Sequence, residues 1–184
     1  ENVYAILPDK GGNLLLGTLS ALVSFNPEKK SFTTIDKEKD GTPFTSQRIT
    51  ILFRDSHKRL WVGGEEGISV FQQEGIEIEK VPILPESSVT KTFTNCIYEA
   101  ANGIIWVGTR EGFYCFNEKE KKIKRYTTAN GLPNNVVYGI LEDTFGRLWV
   151  STNRGISCFN PETERFRNFT ESDGLQSNQF NTSS

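Results

Sequence analysis

The chain has 184 residues, of which 36% are hydrophobic and 24% are charged. This composition is typical of a folded globular protein and excludes a disordered one. Its 21 basic and 23 acidic residues leave a net charge of −2, so its charge gives no reason to expect binding to nucleic acid. No apolar run approaches the roughly 20 residues of a membrane helix, and we expect no membrane contact by this segment.

The chain repeats one pattern of apolar residues four times. Copies aligned on their second predicted strand are 46, 45 and 43 residues apart. The aligned residues are Leu15, Trp61, Trp106 and Trp149, followed ten positions later by Phe25, Phe71, Phe116 and Phe159. Such recurrence indicates a repeat architecture. In chain order, the copies lie at about residues 1–40, 41–88, 89–130 and 131–173, and residues 174–184 are expected to start a fifth.

Each copy predicts four short β-strands. Segments such as "NVVYGILED", "RLWVST", "GISCFN" and "RFRNF" are rich in β-branched and aromatic residues and are bounded by turn residues, as strands are. A glycine recurs after the second strand, at Gly67, Gly112 and Gly155, where we expect positive φ. The sequence therefore predicts an all-β protein of four four-stranded antiparallel sheets of about 44 residues, the size of a β-propeller blade.

The recurring aromatic residues predict the core. A lone four-stranded sheet cannot bury both of its faces, whereas sheets stacked face to face can. We expect the indoles to fill the space between blades with the aligned phenylalanines beside them. The residues predicted to form this blade core are Trp61, Trp106, Trp149, Phe71, Phe116 and Phe159.

Residues suited to catalysis or metal binding are sparse. Asp9, Asp55 and Asp143 occupy equivalent positions in three of the four copies, and we expect them to accept backbone hydrogen bonds in turns. His57 is the only histidine and is expected to be an exposed turn residue. The sequence predicts no catalytic residue, no metal site and no cofactor.

The three cysteines are Cys96, Cys115 and Cys158, an odd number that forbids complete internal pairing. Cys115 and Cys158 occupy equivalent positions on adjacent blades. Packed sheets lie about 10 Å apart, whereas a disulfide requires Cα atoms within about 7 Å. We therefore expect both to remain reduced and to pack as small apolar residues.

The last complete copy resembles the two-component regulator propeller repeat. The matching residues are Ile140, Asp143, Gly146, the run Leu148-Trp149-Val150-Ser151-Thr152, Gly155-Ile156 and Phe159. The second and third copies carry Leu60-Trp61-Val62-Gly63 and Trp106-Val107-Gly108-Thr109. The first copy departs from the pattern with Leu15 for Trp and Ala21 for Gly, and the third copy has Ala100 where Asp is usual.

The resemblance implies the periplasmic sensor region of a bacterial hybrid two-component histidine kinase. In such kinases, propellers and a small β-sandwich precede one membrane helix, a kinase domain and regulator domains, and many members respond to oligosaccharides. It thus implies an oligosaccharide ligand, a homodimer through the parent sensor, a periplasmic location and no catalysis by this segment. Because family propellers usually have more than four blades, we expect an open fragment of a larger propeller, with a closed four-bladed ring as the alternative. The absence of an initiator Met favours a piece of a longer or processed chain.

Topology predicts where a ligand would bind. In an antiparallel meander, the turns between the second and third strands share one end with the connectors between sheets. That end carries "TNRG", "TREG", "GEEG", "TANGLPNN" and "KEKDGTPFTSQ", which are rich in hydrogen-bonding groups. The candidate ligand-binding residues are Arg110, Asn153, Arg154, Asn130, Asn134 and Asn135. Each could instead bond only its own turn.

Two other functions remain open from the sequence. One is a scaffold propeller that binds a protein partner without sensing a small molecule, which an exposed blade face would favour. The other is a propeller enzyme, such as a polysaccharide lyase or glycosidase, which would need clustered carboxylates or a His with Tyr. No such cluster is evident in the sequence.

Overall fold

The computed structural model describes residues 2–44, 48–83, 91–177 and 179–180. They form sixteen strands and three 3-10 turns, at Lys10–Gly12, Thr128–Asn130 and Glu171–Asp173. Blade 1 comprises β1 (Val3–Pro8), β2 (Leu14–Thr18), β3 (Leu22–Asn26) and β4 (Ser31–Ile35), and blade 2 comprises β5 (Ile49–Arg54), β6 (Leu60–Gly64), β7 (Gly67–Glu74) and β8 (Glu77–Lys80). Blade 3 comprises β9 (Thr94–Glu99), β10 (Ile105–Thr109), β11 (Phe113–Asn117) and β12 (Lys122–Tyr126), and blade 4 comprises β13 (Val137–Glu142), β14 (Leu148–Thr152), β15 (Gly155–Asn160) and β16 (Arg165–Phe169).

Each blade is a four-stranded antiparallel meander whose strands follow one another in chain order. The predicted fold class of all-β blade repeats is confirmed. The chain divides into a first unit, Glu1–Thr94, and a second unit, Asn95–Ser184. No helix among the described residues has the length and apolarity that crossing a bilayer requires. The expected start of a fifth blade lies partly outside the described residues, and residues 174–177 and 179–180 form no strand.

The third and fourth strands of blade 2 pair in a shifted register. In the other blades the aligned phenylalanine opposes the residue seven positions later, as Phe159 opposes Phe166. In blade 2, Phe71 opposes Lys80, nine positions later. The cause is the turn, because two residues, Gly75 and Ile76, replace a four-residue loop.

An asparagine sets the four-residue loop in the other three blades. The side chains of Asn26, Asn117 and Asn160 accept hydrogen bonds from backbone N–H groups of the loop. Blade 2 has Gln72 at the aligned position, and its longer side chain does not form the same local cap as readily as Asn does. Without that cap the strands continue for two more residues before they turn.

Glycines near the end of the second strand allow adjacent blades to approach closely. A Cβ atom on Gly17 would lie 2.6 Å from Ile49 Cγ2 and 2.7 Å from its carbonyl oxygen. A Cβ atom on Gly108 would lie 2.5 Å from Cys96 Sγ and 2.6 Å from Val137 Cγ1. In both units the second strand of one blade therefore contacts the first strand of the next. The turn glycines Gly67, Gly112 and Gly155 have positive φ, as expected.

The core of the first unit is largely aliphatic. Its buried cluster comprises Leu15, Leu22, Ile35, Ile49, Leu60, Val62, Phe71 and Ile78. The half-buried ring of Phe44, which precedes blade 2, packs edge-on against Phe71 with centroids 5.5 Å apart. A residue of the connector between the blades thus completes this core.

The core of the second unit is largely aromatic. Phe159 of blade 4 contacts the rings of Trp106, Phe113 and Tyr126 of blade 3, at centroid distances of 5.5, 5.6 and 4.8 Å. It also packs against Phe166 at 4.5 Å. The indole therefore lies beside the phenylalanine of the following blade.

Two expectations about the blade core need correction. Within one repeat the indole and the phenylalanine lie on opposite faces of the sheet, because Trp149 opposes Cys158 whereas Phe159 opposes Leu148. Trp61, Trp106 and the three phenylalanines are buried, but Trp149 is only half-buried and stacks on Phe169 of its own blade. Burial of an indole depends on what covers its face, which the repeat pattern does not specify.

Asp55 and Asp143 form the turn contacts expected of them. The Asp55 carboxylate accepts the Arg59 N–H at 2.9 Å, the Arg59 Nε at 2.7 Å and the Trp61 indole Nε1 at 2.8 Å. Asp143 binds Arg147 and Trp149 in the same way. Each carboxylate thus fixes both its turn and the recurring indole.

The expectation for Asp9 is wrong. Its carboxylate instead accepts side-chain hydrogen bonds from Arg54 at 3.1 Å and Gln73 at 2.9 Å, both in blade 2. The reason is that blade 1 has Asn13 and Leu15 at the aligned Arg and Trp positions. With no local donors of that kind, the carboxylate links two blades.

All three cysteines are thiols, and burial raises the pKa of Cys96 to about 12 and that of Cys115 to about 11. Burial also raises the pKa of Cys158. These thiols are therefore protonated at neutral pH and lack the thiolate that reacts as a nucleophile. His57 is an exposed turn residue.

Candidate functional site

A buried threonine shapes the turns at the predicted binding end of three blades. Thr109 Oγ1 donates to Gly112 O at 3.0 Å and accepts from the Glu111 N–H at 3.0 Å. Thr152 makes the same two contacts with Gly155 and Arg154, and Thr18 donates to Ala21 O. The side chains at the tips of these turns therefore project from a fixed backbone.

The connector of the second unit is a compact cap. Thr127 and Asn130 form a capping box around the 3-10 turn Thr128–Asn130, and the N–H of the left-handed Gly131 closes it by donating to Thr128 O. Leu132 inserts its buried side chain into the aromatic core. Asn168 Nδ2 donates to Gly131 O at 2.9 Å, which fastens the connector to the outer strand of blade 4.

The predicted ligand-binding residues lie on these two kinds of loop in the second unit. Arg110 and Arg154 are exposed at the tips of equivalent turns in blades 3 and 4, and Asn153 is half-buried beside Arg154. The side-chain oxygens of the three connector asparagines accept backbone N–H groups of the connector itself, from Thr127 to Asn130, from Val136 to Asn134 and from Thr128 to Asn135. The asparagines thus hold the loop in shape, and binding by these six residues stays a prediction.

The connector of the first unit is a small hairpin. Lys37 pairs with Pro43, and the Glu38 N–H donates to Thr42 O at 2.7 Å. The hairpin docks on the outer strand of blade 2, because the Lys39 N–H donates to Ile78 O at 2.7 Å and Glu38 Oε2 accepts the Lys80 N–H at 3.1 Å. It therefore covers backbone groups that would otherwise form an open sheet edge.

A cavity of about 230 Å³ lies between this hairpin and blade 2. Its polar lining includes Glu38, Thr42, Glu66, Ser69 and Lys80, and its apolar lining includes Phe44, Val62 and Phe71. A wider depression of about 690 Å³ shares Glu38, Thr42 and Lys80 with it. We assign this cavity as the candidate binding site of the first unit, since it combines apolar walls with a few converging polar groups.

The site carries more negative than positive charge. Among the described residues that line the cavity, Glu38 and Glu66 are acidic and Lys80 is basic, and Asp40, Glu79 and Lys39 join the wider depression. Hydrogen bonds from the backbone and hydroxyl of Thr42 lower the pKa of Asp40. This carboxylate therefore stays ionised at neutral pH and adds to the negative bias.

The sequence predicted the end of the blades at which this cavity lies, but not the residues that line it; that a ligand binds there stays a prediction. The "GEEG" turn and the connector of the first unit lie there as predicted, and they contribute Glu66, Glu38 and Phe44. Lys80 was not predicted to lie here. The repeat spacing pairs Phe71 with the residue seven positions later, whereas in the structure Phe71 pairs with Lys80. The signal that could have revealed it is Gly75, which allows the tighter turn.

Among the described residues, no group of three or more His, Cys, Asp and Glu side chains is arranged to hold a metal ion.

Two comparisons of sequence link this chain to two-component proteins. Residues 87–111 and 131–154 match the two-component regulator propeller family. Histidine kinase P4 of Formosa agariphila is 31% identical over 153 residues, which are 79% of this chain and 11% of that kinase. The chain thus spans about a tenth of this relative.

Solved structures confirm the arrangement of strands. The extracellular domain of BT3049 from B. thetaiotaomicron, named as part of a hybrid two-component system, has a TM-score of 0.76 and 25% identity, covering 96% of this chain and 23% of that one. Virginiamycin B lyase of Staphylococcus aureus has a TM-score of 0.61 at 18% identity, covering 91% of this chain and 55% of the lyase. That second likeness shows the fold alone. The matched stretches show that the chain contains two-component regulator propeller repeats, within residues 87–111 and 131–154.

Proposed function

We propose that this chain is an extracytoplasmic ligand-sensing part of a hybrid two-component histidine kinase. The observation that carries the proposal is the likeness, over nearly the whole chain, to an extracellular domain of a hybrid two-component system, joined to the 31% identity with a histidine kinase. The proposed location is the periplasm, and the proposed signal crosses the membrane to a kinase domain elsewhere in the parent protein. The segment itself is proposed to be non-catalytic.

The proposed ligand is an oligosaccharide that binds at the end of the blades bearing the connectors. In the second unit, the connector end of the blades carries exposed arginines. In the first unit, taken by itself, the equivalent end carries a cavity that has both apolar walls and polar groups, the two kinds of surface that a sugar requires. The parent sensor is proposed to act as a homodimer, in which ligand binding shifts an equilibrium between two signalling states.

A test of this proposal uses the complete sensor that contains this chain. Arg110→Ala and Arg154→Ala are expected to weaken oligosaccharide binding roughly tenfold each, as loss of a charged hydrogen-bond donor does, measured by calorimetry. Arg165→Ala is the matched control, because Arg165 is an exposed arginine at the opposite end of blade 4. If both variants bind as tightly as the unmodified sensor, the arginines have no role in binding.

A protein-binding scaffold is the alternative function, and one observation favours it. Phe145 and Leu141 of the second unit are 80% and 70% exposed, and exposed apolar side chains are a feature of docking surfaces. Phe145→Ser with Leu141→Ser would abolish capture of a protein partner if the chain were a scaffold. Under the sensor proposal, the same double variant keeps its oligosaccharide affinity and its ligand-dependent kinase activity.

A further inference from the structure

The cavity of the first unit lies where the second unit places an aromatic ring. In blade 4 the residue opposite Phe159 is Phe166, and the two rings pack 4.5 Å apart. In blade 2 the residue opposite Phe71 is Lys80, a consequence of the shifted register. A flexible, charged side chain thus replaces a ring, and Lys80 and Phe71 both line the cavity.

In the second unit, hydrogen-bonded side chains fill the space that is equivalent to the cavity. Ser157 Oγ donates to Asn168 Oδ1 at 2.6 Å, and Asn168 Nδ2 donates to Gly131 O of the connector. The aligned serine of the first unit is Ser69, which lines the cavity. The same position of the sheet is therefore filled by side chains in the second unit and is a cavity lined by polar groups in the first.

The polar groups that line the cavity suit a polyhydroxylated ligand. Glu38 and Glu66 supply carboxylate acceptors, Lys80 supplies donors, Ser69 can both donate and accept, and the Thr42 hydroxyl, which donates to Asp40, can accept. A hydroxyl group can satisfy either kind of partner, whereas a purely apolar ligand would leave these groups without hydrogen bonds at a cost in affinity. Phe44 offers an apolar wall beside them.

Charge narrows the class of ligand further. Among the described residues, the two glutamates that line the cavity outnumber its one lysine, and Asp40 and Glu79 add negative charge in the adjoining depression against Lys39. A carboxylate or sulfate group on the ligand would be repelled here. A sugar unit that is uncharged or carries an amino group would not be repelled.

We infer that the cavity between the first connector and blade 2 binds a sugar unit that carries no acidic group. This inference rests on the proposed function, since it names the class of sugar and the residues that hold it. The adjoining depression provides room for the next unit of an oligosaccharide, because it shares three lining residues with the cavity.

The test is a titration of the full chain with methyl β-glucoside, glucosamine and glucuronate, followed by protein-observed NMR. Methyl β-glucoside and glucosamine are expected to bind with dissociation constants of about 1 mM, as single sugar units do, and glucuronate at least about fivefold more weakly because of charge repulsion. Lys80→Phe, which copies the ring of blade 4, is expected to weaken glucoside binding at least about tenfold. Lys119→Phe, an exposed lysine in a loop of the second unit, is the matched control and is expected to change nothing.

A second variant guards against misfolding of Lys80→Phe. Glu66 is exposed at the cavity rim, so Glu66→Gln preserves the fold and is expected to weaken glucosamine binding more than glucoside binding. Unchanged affinity in both variants, or glucuronate binding as tightly as the glucoside, overturns the inference. If the cavity variants of the complete sensor still bind its oligosaccharide normally, only the inference fails; if the unmodified sensor binds no oligosaccharide, the proposed function fails as well.

Discussion

The two units fill the space between their blades with different side chains at the same aligned positions. In the first unit, blade 1 contributes Leu15, Leu22 and Ile35 to the shared core. In the second unit, the aligned residues of blade 3 are Trp106, Phe113 and Tyr126. All six are buried, so one backbone pattern accommodates an aliphatic or an aromatic filling.

The connectors and outer strands differ along with the cores. The aliphatic unit recruits Phe44 from its connector, whereas the aromatic unit inserts Leu132. The aromatic unit also has Phe166 at the place where the aliphatic unit has Lys80 and a cavity. The comparison shows that the aligned positions are buried in both units, whichever side chain they carry. Where side chains fill the core incompletely, a cavity remains with room for a ligand.

The largest expected effect distinguishes the two cores by removing one ring from each. Phe159→Ala removes the ring that contacts four others, and we expect a loss of about 4–5 kcal/mol in the free energy of unfolding. Phe71 lies beside an existing cavity and beside aliphatic neighbours that can shift. Phe71→Ala is therefore expected to lower the free energy of unfolding by about 3 kcal/mol. Urea unfolding followed by circular dichroism measures both, with the exposed Phe145→Ala as control. Equal losses would show that the cores do not differ in this way.

A second pair of variants compares how tightly the blades approach in each unit. Gly17→Ala would place a methyl group against a backbone carbonyl of Ile49, whereas in Gly108→Ala the obstacles are the side chains of Cys96 and Val137. Side chains can rotate away, so we expect about 3 kcal/mol of destabilisation for Gly17→Ala and about 1–2 kcal/mol for Gly108→Ala. Gly139→Ala is the control, since its nearest contact is Ser151 Oγ at 3.1 Å. A larger cost at Gly108 than at Gly17 would contradict this explanation.

A third comparison concerns ion pairs that link neighbouring blades. Arg54 of blade 2 binds Asp9 of blade 1, with 20% and 6% of their side chains exposed, so Arg54→Ala leaves a nearly buried carboxylate and is expected to cost about 2–3 kcal/mol. In the second unit Lys124 pairs with Glu164 across the blades, but both side chains are about half exposed, and Glu164→Gln is expected to cost no more than about 1 kcal/mol. Thermal unfolding in low and high salt separates the two, because salt screens only the exposed pair. Equal costs would mean that burial does not set the strength of these links.

The sequence was sufficient for the fold because burial recurs at fixed spacing. Leu15 and Trp106 are chemically different, yet both sit at the same step of the repeat and both are buried. Periodicity reports which side of a strand is buried, and that is all an antiparallel meander requires. The placing of the connectors at one end of each blade followed from the same topology.

The predictions that failed concern residues whose contact partners cannot be read from the periodicity of the sequence. Trp149 stands between Leu and Val, as the buried Trp61 does, but it is half-buried, and Asp9 accepts hydrogen bonds from side chains of another blade. Lys80 reaches the cavity only because a two-residue turn shifts the register by two residues. In each case a contact distant in sequence, or the choice between two turn types, decided the outcome.

The smallest expected effect concerns the two aspartates that hold an indole. Asp55 is inaccessible, whereas 18% of the Asp143 side chain is exposed. Burial alone would raise the pKa of Asp143, but hydrogen bonds from Arg147, Trp149 and Phe145 outweigh it and lower the pKa to about 2. An aspartate in the unfolded chain titrates near about 3.9. Its contribution to stability is therefore fully present above about pH 4 and is lost as the pH falls toward about 2.

Acid unfolding of Asp143→Asn measures that contribution. The variant lacks the titrating group, so its stability should decline less steeply between about pH 4 and 2 than that of the unmodified chain, although it is less stable at pH 7. Glu162→Gln is the control, because Glu162 is exposed in the loop at the same end of blade 4. A variant with the same pH slope as the unmodified chain would show that Asp143 does not hold its turn through charge. The indole of blade 4 would then depend on its stacking with Phe169, and the recurring aspartate would act through shape alone.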